Sequence, residues 1–444
     1  MAPKRVGAGP KGTAGVSPPV ARERLIIAAA FLDGMVAASG APVMMAQAAC
    51  VSFPSGAYLV AYQLCFLVPQ LITTLLVEEL TLHVSAASLL LFTLMCSTGS
   101  AAVVALSLSQ RALSLFFFAR FLNGLFQHTK ILFGVTAKVL HVPTTDVSAA
   151  SLYGMMAGML ASGIAGDIMQ DVVRVAQLFM GVEAAAATLV LARVLLRSRT
   201  VVVTARVSQE YAQWLPTLTR APAVVHSSVV ALIAFMLAVS VNQVMYPIVA
   251  HRYGLPYSFV GAHLCFGLVL QMVVMPLVLR VAKRVALQWK PNVLLAGTAE
   301  EKLTISAGLV LLVGCAVLPY ALDYGPFAFY PASLFLVDLP SGIVTALASS
   351  ALQETLGGVS GDAPKVTRLL AHITQLVKMF AAPLLIFTTE KFRGYKHPVR
   401  CISIPLVTYV LVYSRTHSVM YAAAALWAAL FVLLPTASSF EAEL

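Results

Sequence analysis

Apolar runs about twenty residues long recur along the whole chain, and short segments with charged residues, proline or glycine separate them. A bilayer core about 30 Å thick requires roughly 20 apolar residues in a helix that spans it. The pattern therefore predicts twelve spanning helices, bounded by these breaks. They cover residues 25–49, 55–77, 84–107, 112–138, 148–169, 173–196, 224–250, 257–282, 303–322, 327–350, 366–388 and 417–436.

The longest polar interruption before the last helices divides the predicted helices into two sets of six. This layout predicts an all-α polytopic membrane protein with two six-helix halves around a central cavity, as in transporters built from structural repeats. The expected organisation is a basic cytoplasmic tail over 1–24, an N-terminal half over 25–196, a cytoplasmic linker over 197–222, a C-terminal half over 223–436 and a C-terminal tail over 437–444.

Composition agrees with this prediction. Of the 444 residues, 59% are hydrophobic and 11% are charged, whereas soluble domains are about 45–50% apolar and about 25% charged. The expected protein is an integral multi-pass membrane protein in contact with the lipid bilayer, in either the plasma membrane or an organelle membrane. The six cysteines have no metal-binding spacing, and neither a metal nor a cofactor is expected.

Lysine and arginine determine the predicted orientation. With the N-terminus inside, 18 of the 29 basic residues fall in segments on the inner side, so the positive-inside rule predicts that both termini are cytoplasmic. The net charge of +11 is then a feature of the inner leaflet, and no nucleic-acid partner is expected. The basic tail has no apolar signal region, which favours a cytoplasmic tail over a transit-like presequence.

Residues 391–416 do not fit the twelve-helix scheme. Lys391, Arg393, Lys396 and Arg400 fall in a predicted outer loop, and the apolar run after them, 401–413, is too short to span a bilayer. The run is interpreted as a re-entrant or interfacial segment. The alternative is a different topology at this end of the chain, which would move the C-terminus to the other side.

Ionisable residues inside spanning helices are costly, so each is a candidate functional residue. In the fourth predicted helix, Arg120, Asn123, Gln127 and Lys130 fall within an arc of about 80° at roughly 100° per residue. This polar stripe favours a water-filled cavity. The alternative is that these groups bond to neighbouring helices or that Lys130 extends to the interface.

Asp33 is the ionisable residue of the first predicted helix. Burial favours the neutral form of a carboxyl group and a nearby cation favours the charged form, so its charge can follow conformation and ligand, as proton coupling requires. Asn242 of the seventh helix, with His372 and Gln375 of the eleventh, are further cavity candidates. His263 and Glu183 are interpreted as helix-packing groups.

Three local motifs resemble those of the major facilitator superfamily. Residues 120–124 (RFLNG) resemble the Arg-x-x-x-Gly motif of its fourth helix, and residues 32–42 (LDGMVAASGAP) resemble the first-helix motif of its drug-efflux branch. The resemblance implies that Arg120 is a cavity residue tied to proton coupling. The fifth helix resembles the antiporter glycine motif, although Ile164 and Asp167 replace the expected proline and glycine; its glycines are Gly154, Gly158, Gly163 and Gly166.

The sequence also departs from that family. Between helices two and three the family carries a motif rich in basic residues, and the aligned stretch here, 74–83, keeps only an acid, Glu78. The charge network that this motif gives to the inner gate must be rebuilt or absent. The resemblance therefore implies a divergent member, with Glu78, Gly158 and Gly163 as gating candidates.

An internal repeat supports the two-half layout. Residues 114–124 (SLFFFARFLNG) align with 333–342 (SLFLVDLPSG) with one gap, which brings Arg120 and Asp338 to equivalent positions before Gly124 and Gly342. The two glycines are added to the gating candidates. Arg120 and Asp338 are expected to form or exchange an ion pair across the cavity.

The predicted function is secondary active transport of a small organic solute by alternating access, coupled to protons, in a monomer. A transporter-like sensor or scaffold without transport is the alternative, which the missing basic residues favour. Enzymatic activity is not expected, because the sequence has no histidine box, Walker loop or Gly-x-Ser-x-Gly motif. The candidate cavity charges favour an anionic or zwitterionic solute, whereas the efflux-like first helix favours a lipophilic cation.

Overall fold

The computed structural model describes residues 19–53, 56–140, 142–195, 223–288, 299–321, 324–360 and 396–438, with 376–377, 379–380 and 384. Everything described is helix, turn or short connection. The first part consists of α1 (Pro19–Cys50), α2 (Gly56–His83), α3 (Ala86–Gln110), α4 (Leu113–Phe126), α5 (Thr129–Val139), α6 (Thr144–Met169) and α7 (Val172–Leu195). The second part consists of α8 (Ala223–Arg252), α9 (Tyr257–Val269), α10 (Met275–Gln288), α11 (Ala299–Ala321), α12 (Pro326–Ser333), α13 (Leu339–Ser360), α14 (Lys396–Thr416) and α15 (Val419–Ser438).

Three of the predicted spanning helices depart from regular α-helix. The fourth is divided into α4 and α5 by a break at Gln127 and His128. The eighth and tenth are continuous but contain π-helical turns, Leu270–Val274 between α9 and α10 and Leu334–Asp338 between α12 and α13. Such turns occur often at functional sites.

The N-terminal half is held together by α1 and α3. Helix α1 packs against α6 and α7, and α3 packs against α7 and α4. A cluster of buried apolar side chains, among them Leu90, Leu132 and Phe133, fills the space between these helices. We call the side of the membrane at which α1 ends the outer side, following the orientation predicted from the basic residues.

The C-terminal half repeats this arrangement. Helix α14 packs against α8 and α11 as α7 packs against α1 and α3. The buried core here includes Phe235, Tyr246, Leu311, Phe329 and Val407. By its packing, α14 is therefore the counterpart of α7, the last helix of the first half.

Helix α14 corrects the interpretation of residues 401–413 as a re-entrant or interfacial segment. At one end, Arg400 Nη1 donates a hydrogen bond of 2.8 Å to the Tyr320 hydroxyl, at the outer end of α11. Near the other end, Leu411 packs beside Gly308 in the inner part of α11. The helix thus runs the length of α11 in the opposite direction. Its span was missed because Lys396 and Arg400 begin it and Pro405 interrupts the apolar run.

Helix α15 then turns back along α14. His417 adopts a left-handed backbone conformation (φ 52°) between the two helices, and α15 packs on α14. Its remaining surface is apolar and exposed, as expected for a face covered by lipid, and Met420, Phe431 and Trp427 are its most exposed side chains. The end of α15 therefore lies on the outer side. Because α14 adds a crossing, the end of α15 and the start of α1 lie on opposite sides, which agrees with the alternative topology given for this end of the chain.

Candidate functional site

A polar group lies inside the N-terminal half, centred on Asp33 of α1. Asp33 is 6% exposed, and its Oδ2 accepts a hydrogen bond of 2.9 Å from the Thr129 hydroxyl at the start of α5. Glu183 of α7 is 1% exposed and lies close enough to interact electrostatically with Asp33. Ser97 of α3 approaches Glu183, but neither carboxylate oxygen makes a well-oriented hydrogen bond.

The break in the fourth helix borders this group. His128 lies at the break and is buried, and its Nε2 is 3.4 Å from the Thr93 hydroxyl of α3. The Leu125 main chain approaches the ring, but Nδ1 makes no well-oriented hydrogen bond. Thr129, the next residue, is the donor to Asp33. Irregular backbone at membrane depth is tolerated where protein or a water-filled cavity surrounds it. Here the break positions a histidine and a hydroxyl beside two acids.

The members of the predicted polar stripe face different neighbours. The Arg120 guanidinium lies over the rings of Tyr62 and Phe66 of α2, 4.2 and 4.5 Å from their centroids, and its buried Nε has no hydrogen-bond partner. Asn123 Oδ1 instead accepts a short hydrogen bond from Ser100 of α3. Gln127 is half-buried at the end of α4, and Lys130, beyond the break, is exposed. The stripe was predicted for one regular helix, and the break between α4 and α5 interrupts that helical spacing before Lys130.

Asp338 lies in a second polar group, inside the C-terminal half. Its Oδ2 accepts a hydrogen bond of 2.8 Å from the Tyr246 hydroxyl of α8, and its Oδ1 has no partner. The Tyr330 hydroxyl donates to the main-chain oxygen of Tyr246 at 2.8 Å, and the His263 ring packs edge-on against both tyrosines. The expected ion pair between Asp338 and Arg120 is not formed in this structure, because each side chain has partners in its own half.

The two halves meet where α6 packs on α9. The Asp167 carboxylate of α6 accepts hydrogen bonds from the main-chain N–H groups of Tyr257 and Ser258, at 2.7 and 2.9 Å. A side chain at Gly163 would collide with the main chain of Tyr257, and one at Gly261 would collide with the main-chain oxygen of Met159. Asp167 and Tyr257 are at the outer ends of their helices, so this seam joins the two halves on the outer side.

The other gating candidates lie within one half. Gly158 brings α6 onto the main chain of Met35, and Gly124 brings α4 onto the main chain of Phe66. Gly342 lies beside the flexible side chain of Met275. Four predicted site residues have side chains outside the described set: Glu78, Asn242, His372 and Gln375.

Comparisons with known proteins give no match in sequence, either to a family model or to a curated protein. Solved structures do match over nearly the whole chain. A bacterial homologue of the iron transporter ferroportin, in an inward-facing state, has a TM-score of 0.62 at 11% identity over 91% of this chain and 99% of that one. A major facilitator superfamily transporter in its outward conformation has a TM-score of 0.50 at 12% identity, over 90% and 99%.

The chain has the major facilitator fold. A D-xylose-proton symporter matches as well, with a TM-score of 0.60 at 12% identity over 88% of this chain and 97% of that one. Identity this low establishes the architecture alone. The fold predicted from the first- and fourth-helix motifs is thus confirmed, and the protein is an integral multi-pass membrane protein.

Within this major facilitator fold, several residues of the polar groups were not selected from the sequence. Glu183 and His263 were interpreted as packing groups, and Tyr246 was not among the candidates. Asp167 was noted only as a departure from a glycine motif. Glu183 carried a usable signal, since an acid in a spanning helix is rare enough to be a candidate by itself.

Proposed function

We propose that this protein is a secondary transporter that moves a small organic solute by alternating access and couples that movement to protons. The observation that carries the proposal is the seam between the halves. One carboxylate accepts two hydrogen bonds across the seam, beside two close glycine contacts, and water can take over these hydrogen bonds when the halves separate. Such a reversible closure on one side of a two-half protein is what alternating access requires.

Arg120 is the proposed contact for the solute. No described residue forms an ion pair with it, and its guanidinium is held by aromatic rings of α2 instead. A cation in a spanning helix without a counter-ion is available to an acidic group of the cargo. The proposal therefore favours a solute that carries a carboxylate or another anion, with Gln127 and Lys130 nearby on the same predicted helix.

Proton coupling is assigned to the polar group around Asp33. Asp33 is buried, its described hydrogen-bond partner is a single hydroxyl donor, and it lies beside the break in the fourth helix. The structural neighbours include a D-xylose-proton symporter, a relationship that supports coupling without identifying the solute.

The alternative is a sensor or scaffold that changes shape without carrying a solute. The loss of basic residues between helices two and three favours it, since the inner gate would lack its usual charges.

Transport by purified protein in liposomes separates the two functions. Radiolabelled sugars, nucleosides, dipeptides and carboxylic acids would be offered with and without an imposed pH gradient. We expect uptake of at least one anionic or zwitterionic compound, driven by the gradient and lost in Arg120→Gln. Absence of uptake for every compound, with the protein correctly folded and able to close on both sides, would favour the sensor.

A further inference from the structure

The acids inside the N-terminal half form a pair rather than a single site. Asp33 and Glu183 come from helices that are adjacent in the fold, α1 and α7, and each is more than nine-tenths buried. Their carboxyl groups interact electrostatically. The apolar cluster that contains Leu90 and Phe133 lies on the inner side of the pair, and a second one with Val175 and Phe179 lies toward the outer side.

The two acids have no described cation to balance them. Helix α3 faces them with Thr93 and Ser97, and α5 with Thr129. Helix α6 meets α1 through Ser151 and glycines. Among the described residues around the pair, His128 is the other titratable group, and the ion pairs found in the described chain, Arg174 with Asp171 and Lys283 with Glu300, lie elsewhere.

Two neighbouring carboxylates in a low-dielectric interior repel each other and lose hydration, so without a cation they do not both ionise. We propose that Asp33 and Glu183 form a carboxyl pair that holds a proton, with Glu183 as the acid that carries it. The role of this pair in proton coupling rests on the proposed transport function. The presence of a proton on the pair does not depend on that function.

The hydrogen bonds distinguish the two members. Thr129 donates to Asp33, which suits a carboxylate, whereas Glu183 receives no well-oriented donor and is therefore stable as the neutral acid. Release of its proton would leave two adjacent negative charges. Re-protonation from water then restores a single charge, so the pair takes up and releases one proton with no other reactant.

His128 is an independent observation that favours a proton path to this pair. Its ring is buried, with Nε2 near Thr93 and the Leu125 main chain close by, yet Nδ1 makes no well-oriented hydrogen bond. A neutral imidazole can accept a proton at one nitrogen and release another from the second. It also lies at the break that divides α4 from α5, next to the Thr129 donor.

Infrared titration of the full chain in detergent tests whether the pair holds a proton. The wild-type protein should show a carboxylic acid carbonyl band that persists above about pH 6, where exposed carboxyl groups are ionised. Because Asp338 is buried as well and can contribute to this band, all variants are compared in an Asp338→Asn background. There the band should disappear with Glu183→Gln and remain with Asp33→Asn with an altered pH dependence. Asp146→Asn, which changes an exposed acid at the start of α6, is the matched control and should leave the band unchanged.

A band that survives unchanged in both Glu183→Gln and Asp33→Asn would overturn the proposal. Glutamine has the shape of the neutral acid, so the variant should fold; Glu183→Met is the second variant, and it should lose the same band.

The role in coupling is tested in liposomes with a solute that the wild-type protein carries. Glu183→Gln should retain solute exchange but lose the response to a pH gradient, and a retained response would overturn the coupling role. If the wild-type protein carries no solute, the transport function fails, while the infrared result still decides the proton site.

Discussion

The carboxylate of Asp167 caps the N-terminus of α9 by accepting a hydrogen bond of 2.7 Å from the main-chain N–H of Tyr257. Acids are favoured at this position because the first turn of a helix has unpaired N–H groups and a partial positive charge. Here the acid comes from the other half of the protein. The cap therefore stabilises closure of the outer side rather than the helix alone.

Removing this cap should open the outer side. Asp167→Ala should weaken closure by about 1–2 kcal/mol, the usual cost of losing a cap, which shifts the ratio of closed to open molecules by roughly 5–30-fold. The measurement is the distance between spin labels at Ser52→Cys and Tyr324→Cys, exposed positions in outer connections of the two halves.

Asp171→Ala is the matched control, since Asp171 caps its own helix through the main-chain N–H of Val173 at 2.9 Å and does not bridge the halves. It should leave the label distances unchanged. Equal distances in Asp167→Ala and the wild-type protein would show that closure does not depend on the cap.

The glycine contact of the same seam gives a second prediction. Gly261→Ala should push α9 away from the main-chain oxygen of Met159 and favour the open form. Alanine otherwise stabilises a helix by about 1 kcal/mol relative to glycine. Gly267→Ala on the same helix, where the nearest atom would be 3.9 Å away, should therefore keep or raise the melting temperature. If Gly261→Ala and Gly267→Ala gave the same label distance and the same melting temperature, the close approach of α9 to the main-chain oxygen of Met159 would be contradicted.

Tyr246 and Asp338 should be energetically coupled. A double-mutant cycle with Tyr246→Phe and Asp338→Asn, measured by unfolding in mixed micelles, should give a coupling energy of about 1–3 kcal/mol. Either single change already weakens the buried hydrogen bond between the two side chains, so the double variant loses less than the sum of the two single losses. The cycle with Arg120→Gln and Asp338→Asn should give less than about 0.5 kcal/mol. A larger coupling for the second pair would restore the ion pair expected from the internal repeat.

The hairpin of α14 and α15 predicts the accessibility of its turn. With the native cysteines replaced, His417→Cys should react with a membrane-impermeant thiol reagent only from the inner side, whereas Tyr324→Cys should react from the outer side. Both positions are exposed. Labelling of both positions from one side would mean that α14 does not cross the membrane.

The limits of the long helices could be predicted because lipid requires uninterrupted apolar runs. The fifth predicted helix, for example, ends at Met169 in the structure as in the prediction, where Gln170 adopts a left-handed conformation (φ 50°) and ends the helix. The break at Gln127 and His128 could not be predicted, because the local sequence contains no proline at that point. In the structure, His128 and the next residue, Thr129, contact Thr93 of α3 and Asp33 of α1 at this point.

The candidate site was predictable only in part. Asp33 could be selected because burying an acid in a spanning helix is costly, and this argument needs only the sequence of its own helix. Its relation to Glu183 depends on how α1 and α7 pack, and the Tyr246 hydrogen bond to Asp338 depends likewise on α8 and the π-helical turn. A sequence repeat gives equivalent positions in the two halves, but it does not determine which side chains are neighbours.

Helix α6 has glycines on two faces, and the two contacts differ in what can enter them. Gly154 and Gly158 press it onto the main chain of α1, within one half, and leave no room for a water molecule. The contact with α9 also has a closely packed glycine, Gly163, but it includes the Asp167 carboxylate, whose hydrogen bonds to main-chain N–H groups can be exchanged for hydrogen bonds to water. Hydration during opening should therefore enter between α6 and α9, and α6 should move as one piece with α1.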